Sequence, residues 1–335
     1  MKRTFSIILA VLAAVCLFRA SQLLNTAHAQ NGQGQGPVKH RTNPDNEPDA
    51  ASPSESNGPE TNRRAHIGAA LTTGGTGVVT PAITYHGGPL IATPTIYIIW
   101  YGNWNQTNGS DNPAGQQIVR DFVNNIGGSP YFLLNTSYSA GGYNITGLVL
   151  NGGETTDTGS AGTRLRDSSI LNIVNNAISG GKLPYDANGV YFVLTSSNIS
   201  EQSGFCTRYC GWHTANNGSV GHLRYSFVSN ANRCLSACAA QTTSPNGNAG
   251  VDGMISVIAH ELEEATSDPD PTSGWADSGG SENADKCAWT FGHAQYQVGN
   301  GSWANMKLGL RDFLIQRNLE HNVSGDLCKV NATQN

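Results

Sequence analysis

The stretch "IAHELEEATSDPD", residues 258–270, decides how the rest of the chain is read. Ile255, Ile258, Ala259 and Leu262 recur at helical spacing and predict a helix from Asp252 or Gly253 to about Ser267, stopped by Pro269. Val257, His260, Glu261 and Glu264 form a second stripe on the roughly opposite side. A solvated face would be polar along its length. This one is apolar at Val257, and Met254 to Ala259 is nearly all hydrophobic, so the helix is predicted to be buried on both sides. Buried carboxylates must be paired or bind a cation. His260 and Glu264, one turn apart, can grip one ion from the same side, and the run is one residue away from the H-E-x-x-H signature of zinc hydrolases. In that reading Glu261 sits beside the ion and activates a water.

Downstream, "GWADSGGSENADKCAW", residues 274–289, gathers Asp277, Glu282 and Asp285. Glu282 is the predicted third ligand and Asp285 the residue that orients a ligand from behind. The expected ion is Zn²⁺. One imidazole with two carboxylates leaves a metal less positive than two imidazoles would, so Mn²⁺ and Ca²⁺ also suit the set. The plain alternative is a polar loop held by Cys287. His213, His222 and His293 stand alone in the sequence and read as structural.

Working back toward the N-terminus, "TPTIYIIWYGNW" (93–104) reads as a strand ended by glycine. Ile118, Val119, Phe122, Val123 and Ile126 mark an amphipathic helix that Gly127-Gly128 stop. "ITGLVL" (145–150) reads as a second strand, and Ile170, Ile173, Val174, Ala177 and Ile178 as a second helix. "GVYFVLTSS" (189–197) and "GHLRYSFVS" (221–229) read as two further strands. Strands and helices alternate before a late polar-bearing helix. This order predicts a single large α/β or α+β domain, with a mixed sheet packed against helices.

The first 29 residues have the layout of a secretory signal peptide: a basic start, the apolar run "FSIILAVLAAVCLF" and small residues at "AHA". Residues 30–77 hold too little apolar surface to offset the entropy of ordering them and read as a disordered spacer, leaving 78–335 for the globular domain. The chain is thus expected to be secreted, extracellular or periplasmic, with no membrane span after cleavage. A net charge of −5 without a basic cluster gives nucleic-acid binding no electrostatic support. Six cysteines remain after export, most simply as three disulfides. The pairing guessed from proximity is Cys206–Cys210, Cys234–Cys238 and Cys287–Cys328. A structural zinc held by the first four, or a Cys206/His213 nucleophilic pair, are the alternatives.

"YHGGPL" (85–90), "IIWYGNW" (98–104), "FCTRYCGWH" (205–213), "GVDGMISVIAHELEEATSDP" (250–269) and "ENADKC" (282–287) together resemble the EXORDIUM or phosphate-induced protein 1 family. The resemblance covers about residues 80–320. It implies a secreted protein, of a kind associated in plants with the apoplast and with cell expansion. The family's H-E-x-x-E helix matches His260, Glu261 and Glu264, and its E-x-x-D-x-C segment matches Glu282, Asp285 and Cys287. The element order also looks like that of zincin metallopeptidases. Two functions follow as expectations. One is a metal-dependent hydrolase acting on peptides. The other is a non-catalytic extracellular protein binding cell-wall polysaccharide or a receptor, with Trp100, Tyr101, Trp104 and Trp212 as stacking surfaces for sugars.

Overall fold

A computed structural model describes residues 73–333. The signal peptide and most of the 30–77 spacer lie outside them. At the end of the spacer, Thr73 accepts from the Gly292 N–H (3.1 Å) and Gly75 accepts from Arg317 (2.8 Å).

Five strands form the main sheet: β1 (Thr95–Tyr101), β2 (Leu150–Asp157), β3 (Gly189–Thr195), β4 (Gly211–Gly218) and β5 (Gly221–Ser229), in the order β2-β1-β3-β5-β4. The first four in that order are parallel, and β4 closes the edge antiparallel to β5. Helices α1 (Pro113–Ile126) and α2 (Asp167–Ser179) carry the crossovers β1–α1–β2 and β2–α2–β3. These crossovers run in opposite directions along the sheet, which for right-handed connections puts α1 and α2 on opposite faces. A four-residue helix α3 (Leu235–Cys238) precedes α4 (Ala249–Ser267), the helix of the opening motif. α4 packs on α1 and over β4 and β5. This is the expected mixed sheet with helices, in one α+β domain.

Local chemistry explains the elements. β1 and β3 are buried at every position, as central parallel strands are, and their continuous apolar runs made them readable. α1 starts where Asn112 accepts from the Gly115 N–H (2.9 Å) with Pro113 as first helical residue. α4 is capped by Asn248, which accepts from Val251 (3.2 Å) and from the buried Ser110 hydroxyl (2.7 Å). At its other end the Asp268 carboxylate takes the N–H groups of Thr272, Ser273 and Gly274 (2.6, 3.0 and 2.6 Å), which turns the chain back. Met254, Ile255, Ile258, Ala259 and Leu262 are all fully enclosed. Enclosing a side chain the size of Ile or Leu contributes about 1.5–3 kcal/mol.

Two expectations are corrected. The second strand is not 145–150 but Leu150–Asp157, "LNGGETTD". Gly147 (φ +75°) turns the chain before it, and Leu148 and Leu150 face outward. The true strand is an edge strand and is polar for that reason. At its bulge opposite Ile96/Tyr97, a Cβ on Gly152 would lie 2.4 Å from the Tyr97 ring, so only glycine fits.

The cysteines pair as Cys206–Cys234, Cys210–Cys238 and Cys287–Cys328, with Cα–Cα distances of 5.9, 5.5 and 5.5 Å. Only the last was anticipated. Cys234 and Cys238 bracket α3, where residues four apart point the same way. Their sulfurs lie side by side, 3.6 Å apart, and each faces a cysteine of the 206–210 segment. Both alternatives for these thiols, the zinc clamp and the Cys206/His213 pair, fall with this pairing. The third bond joins a smaller core of Ile83, Tyr138, Ile145, Trp275 and Leu319.

Candidate metal centre

α4 brings three of the sequence-predicted residues to one place. His260 Nε2 and Glu264 Oε1 are 2.9 Å apart, and the Asp285 Oδ1 atom is 3.7 Å from the same imidazole nitrogen. Asp285 also gives its backbone N–H to Glu264 Oε1 (3.1 Å). His260, Glu264 and Asp285 each offer a ligand atom within 4.8 Å of the other two. The segment carrying Asp285 is a single 3₁₀ turn (Asp285–Cys287), and Asp285 Oδ2 accepts from the Glu282 N–H (3.2 Å). Glu282 therefore precedes the turn, and its side chain points elsewhere, to within 3.1 Å of His213 Nε2. Asp277, third in the same acidic loop, pairs with Lys286 and accepts from Gly279 and Ser281.

His213, read from sequence as structural, sits inside the cluster. It lies on β4, only 1 % exposed, with Nε2 3.6 Å from Glu264 Oε2. His213, Glu261 and Glu264 form a second set of ligand atoms within 4.8 Å of one another. The close approach of α4 to β4 makes this possible. A Cβ on Gly211 would meet Val257 Cγ1 at 2.5 Å and Glu261 Oε1 at 3.1 Å, so the strand can touch the Val257/Glu261 stripe only through glycine. Sequence held one usable sign of His213: two positions after Gly211, it shares that strand face. His222 instead pairs with Asp270 at the rim, and His293 is exposed.

Burial sets the protonation states. It raises Glu264 well above the ordinary carboxylate range, with Asp268 adding repulsion and the Asp285 N–H opposing. It lowers His260 to about 4, against the pull of Asp285. Both shifts favour the uncharged forms, so burial opposes an ion pair between His260 and Glu264. Asp268 rises to about 6 for the same reason, although three backbone N–H groups and Glu282 stabilise its anion. Lys286, next to Asp285 in sequence, is committed to Asp277.

The donor set fits a divalent cation. Two imidazoles and four carboxyls converge, and ligand atoms on one tetrahedral ion stand roughly 3.3 Å apart. The contacts of 2.9 and 3.7 Å from His260 Nε2 to Glu264 and Asp285 bracket that spacing. Gln316 contacts His260 Nδ1 through its side-chain amide, holding the ring from behind. By contrast, Trp100, Tyr101, Trp104 and Trp212 are 1, 0, 6 and 3 % exposed and offer no surface to a sugar.

A mixed sheet with a His-Glu-x-x-Glu helix across its antiparallel edge defines the class of this protein. Residues 83–308 match the family model described as the phosphate-induced protein 1 conserved region, and the chain belongs to that family. Among similar proteins are Protein EXORDIUM-like 5 of Arabidopsis thaliana, 33 % identical over 217 residues, and Protein EXORDIUM-like 3 of the same plant, 34 % identical over 216. These alignments cover 56 % of this chain and 58 % and 62 % of the two relatives, so the chain spans about three-fifths of their length. Protein PHOSPHATE-INDUCED 1 of Nicotiana tabacum is 23 % identical over 224 residues, covering 56 % of this chain and 65 % of that protein. No solved structure matches the chain.

Proposed function

We propose that this is a secreted protein with a divalent-cation centre that hydrolyses peptide bonds, the ion held by His260, Glu264 and Asp285. The observation that carries the reading is the shared focus of the three side chains, contributed by two elements and buried together. Zn²⁺ is the expected ion, with Mn²⁺ and Ca²⁺ as weaker fits to a set containing imidazole. When bound, such an ion lowers the pKa of a water to about 7. Around it the chain's own residues do the rest. Glu264 gives up its proton to become a ligand. Gln316 fixes the His260 ring. Glu261, on the same helix stripe, would be the residue to take a proton from such a water. Secretion is supported by three disulfides, which form in oxidising compartments. No helix among the described residues is long and apolar enough to cross a membrane.

One observation favours a second reading. The side chains of His213, His260, Glu264 and Glu282 are at most 4 % exposed. An ion so enclosed suits a structural role in a non-catalytic extracellular protein. Metal analysis of the purified chain, chelation monitored by melting temperature, and turnover of a peptide library decide between them. Bound metal with peptide cleavage supports the hydrolase. Bound metal without cleavage supports the structural ion. A chain that takes up no divalent metal, and whose melting ignores chelator, ends both.

A further inference from the structure

The geometry points to two divalent ions in this centre rather than one, bridged by Glu264. The inference rests on the cation reading above and extends it. The two groups of ligand atoms share one residue, Glu264, and address it from opposite sides. Oε1 faces His260 Nε2 at 2.9 Å, with Asp285 Oδ1 on the same imidazole nitrogen. Oε2 faces His213 Nε2 at 3.6 Å, with the Glu282 Oε2 atom 3.1 Å from that nitrogen and Glu261 in reach. A carboxylate with a different imidazole at each oxygen is the arrangement that joins two metals, which in such sites stand about 3.5–4 Å apart.

Charge agrees with the count. Glu261, Glu264 and Glu282 are buried carboxyls, and Asp285 joins them at the His260 imidazole. One divalent ion balances two of them. Two balance all four and leave both imidazoles neutral, as ligation requires. Histidine matters here as well as charge. Each half of the centre has one imidazole, from a different element, so neither half is a mere gathering of acids. Glu261 then changes its work: it holds the second ion instead of taking a proton from water.

The test is stoichiometry. The whole mature chain is stripped with chelator and reloaded with Zn²⁺, and native mass spectrometry counts the ions. Two per chain are expected, falling to one in His213→Gln and in Glu261→Gln, and to one in Asp285→Asn. Glu264→Gln should lose both. Loading with Mn²⁺ gives a second readout that a folding defect does not mimic. The bridged pair should show an exchange-coupled electron-paramagnetic-resonance spectrum in place of the six-line signal of an isolated ion. Circular dichroism checks that each variant is folded. One ion in the native chain, kept in His213→Gln and lost in Asp285→Asn, overturns the pair and leaves the single centre standing. Two ions retained in His213→Gln also overturn it. No ion at all removes this inference and the cation reading together.

Discussion

Glu263 and Glu264 are neighbours on one helix, both sealed from solvent, yet the two sides of α4 treat them differently. Glu263 turns toward amides. Asn318 donates to its Oε2 at 2.7 Å, Asn135 donates to the same atom, and Asn283 joins through Asn135 and the Glu263 carbonyl. Glu264 turns toward imidazoles and other acids. Burial raises both carboxyls well above the ordinary range. Amides satisfy a carboxyl by hydrogen bonds alone and make poor metal ligands. Imidazoles and acids are also the side chains that can share a cation with it. The helix therefore carries one acid tied into the fold by amides and one that faces the imidazole cluster, one residue apart.

That contrast is open to direct attack, and the largest effect falls on the fold side. Glu263→Ala should destabilise the chain by about 3 kcal/mol or more, because it opens a cavity and strips two buried amides of their acceptor. Its metal content should be unchanged. Urea unfolding with parallel metal analysis checks both halves, and metal loss would merge the two sides. Glu264→Gln should do the reverse. In metal-free protein Gln imitates the protonated acid, so stability should move by less than about 1 kcal/mol. In metal-loaded protein the stabilisation from bound ion should vanish, a loss of about 2.7 kcal/mol when free metal is a hundredfold above Kd. Melting curves with and without chelator show this as two superimposed traces for the variant and two separated ones for the native chain.

A smaller effect belongs to Gln316. Gln316→Ala should weaken metal binding about 10- to 100-fold, the usual cost of removing a group that orients a ligand, while the Glu263 side stays intact. Calorimetric titration reads it, and unchanged affinity would show that His260 needs no support. The mildest probe is pH. Burial raises Glu264 well above the ordinary carboxylate range, so protons should compete with a metal for it. Each proton released should cost about tenfold in apparent affinity per pH unit as acid is added, and affinity should recover on returning to pH 8. A pH-independent Kd between 6 and 8 would place the ion away from Glu264.

How much of this was legible depends on whether a residue's partners lie near it in sequence. β1, β3, β5, α1, α2 and α4 announced themselves because each buries an apolar face whose period is local. β2 did not, since its polar "LNGGETTD" is an edge and carries no apolar signal. β4, "GWHTANNG", is short of β-branched residues and exists through its pairing with β5. On the site, His260, Glu261 and Glu264 were visible because one helix stripe holds all three. His213 was not, because it meets Glu264 and Glu282 only after the sheet has brought residues from distant parts of the chain together. The disulfides failed for a related reason. Proximity in sequence favoured Cys206–Cys210 and Cys234–Cys238, but the helical turn of α3 aims Cys234 and Cys238 in parallel, and each needed a partner from the other segment.

The Cys287–Cys328 bond gives the centre a sense of place. Cys287 ends the one-turn helix that Asp285 begins, and Glu282 lies just before it. Cys328 lies on a short strand near the C-terminus, paired across to Asn318–Glu320. The loop that carries Glu282 and Asp285 is therefore moored to the last part of the chain by a bond that reducing surroundings would open. A chain still in a reducing compartment lacks that mooring, and the loop then rests on the Lys286–Asp277 pair and on hydrogen bonds to Glu264, Asn135 and Glu263. Oxidation then acts as a permission step for this loop: it is fixed against the C-terminal segment only where disulfides form.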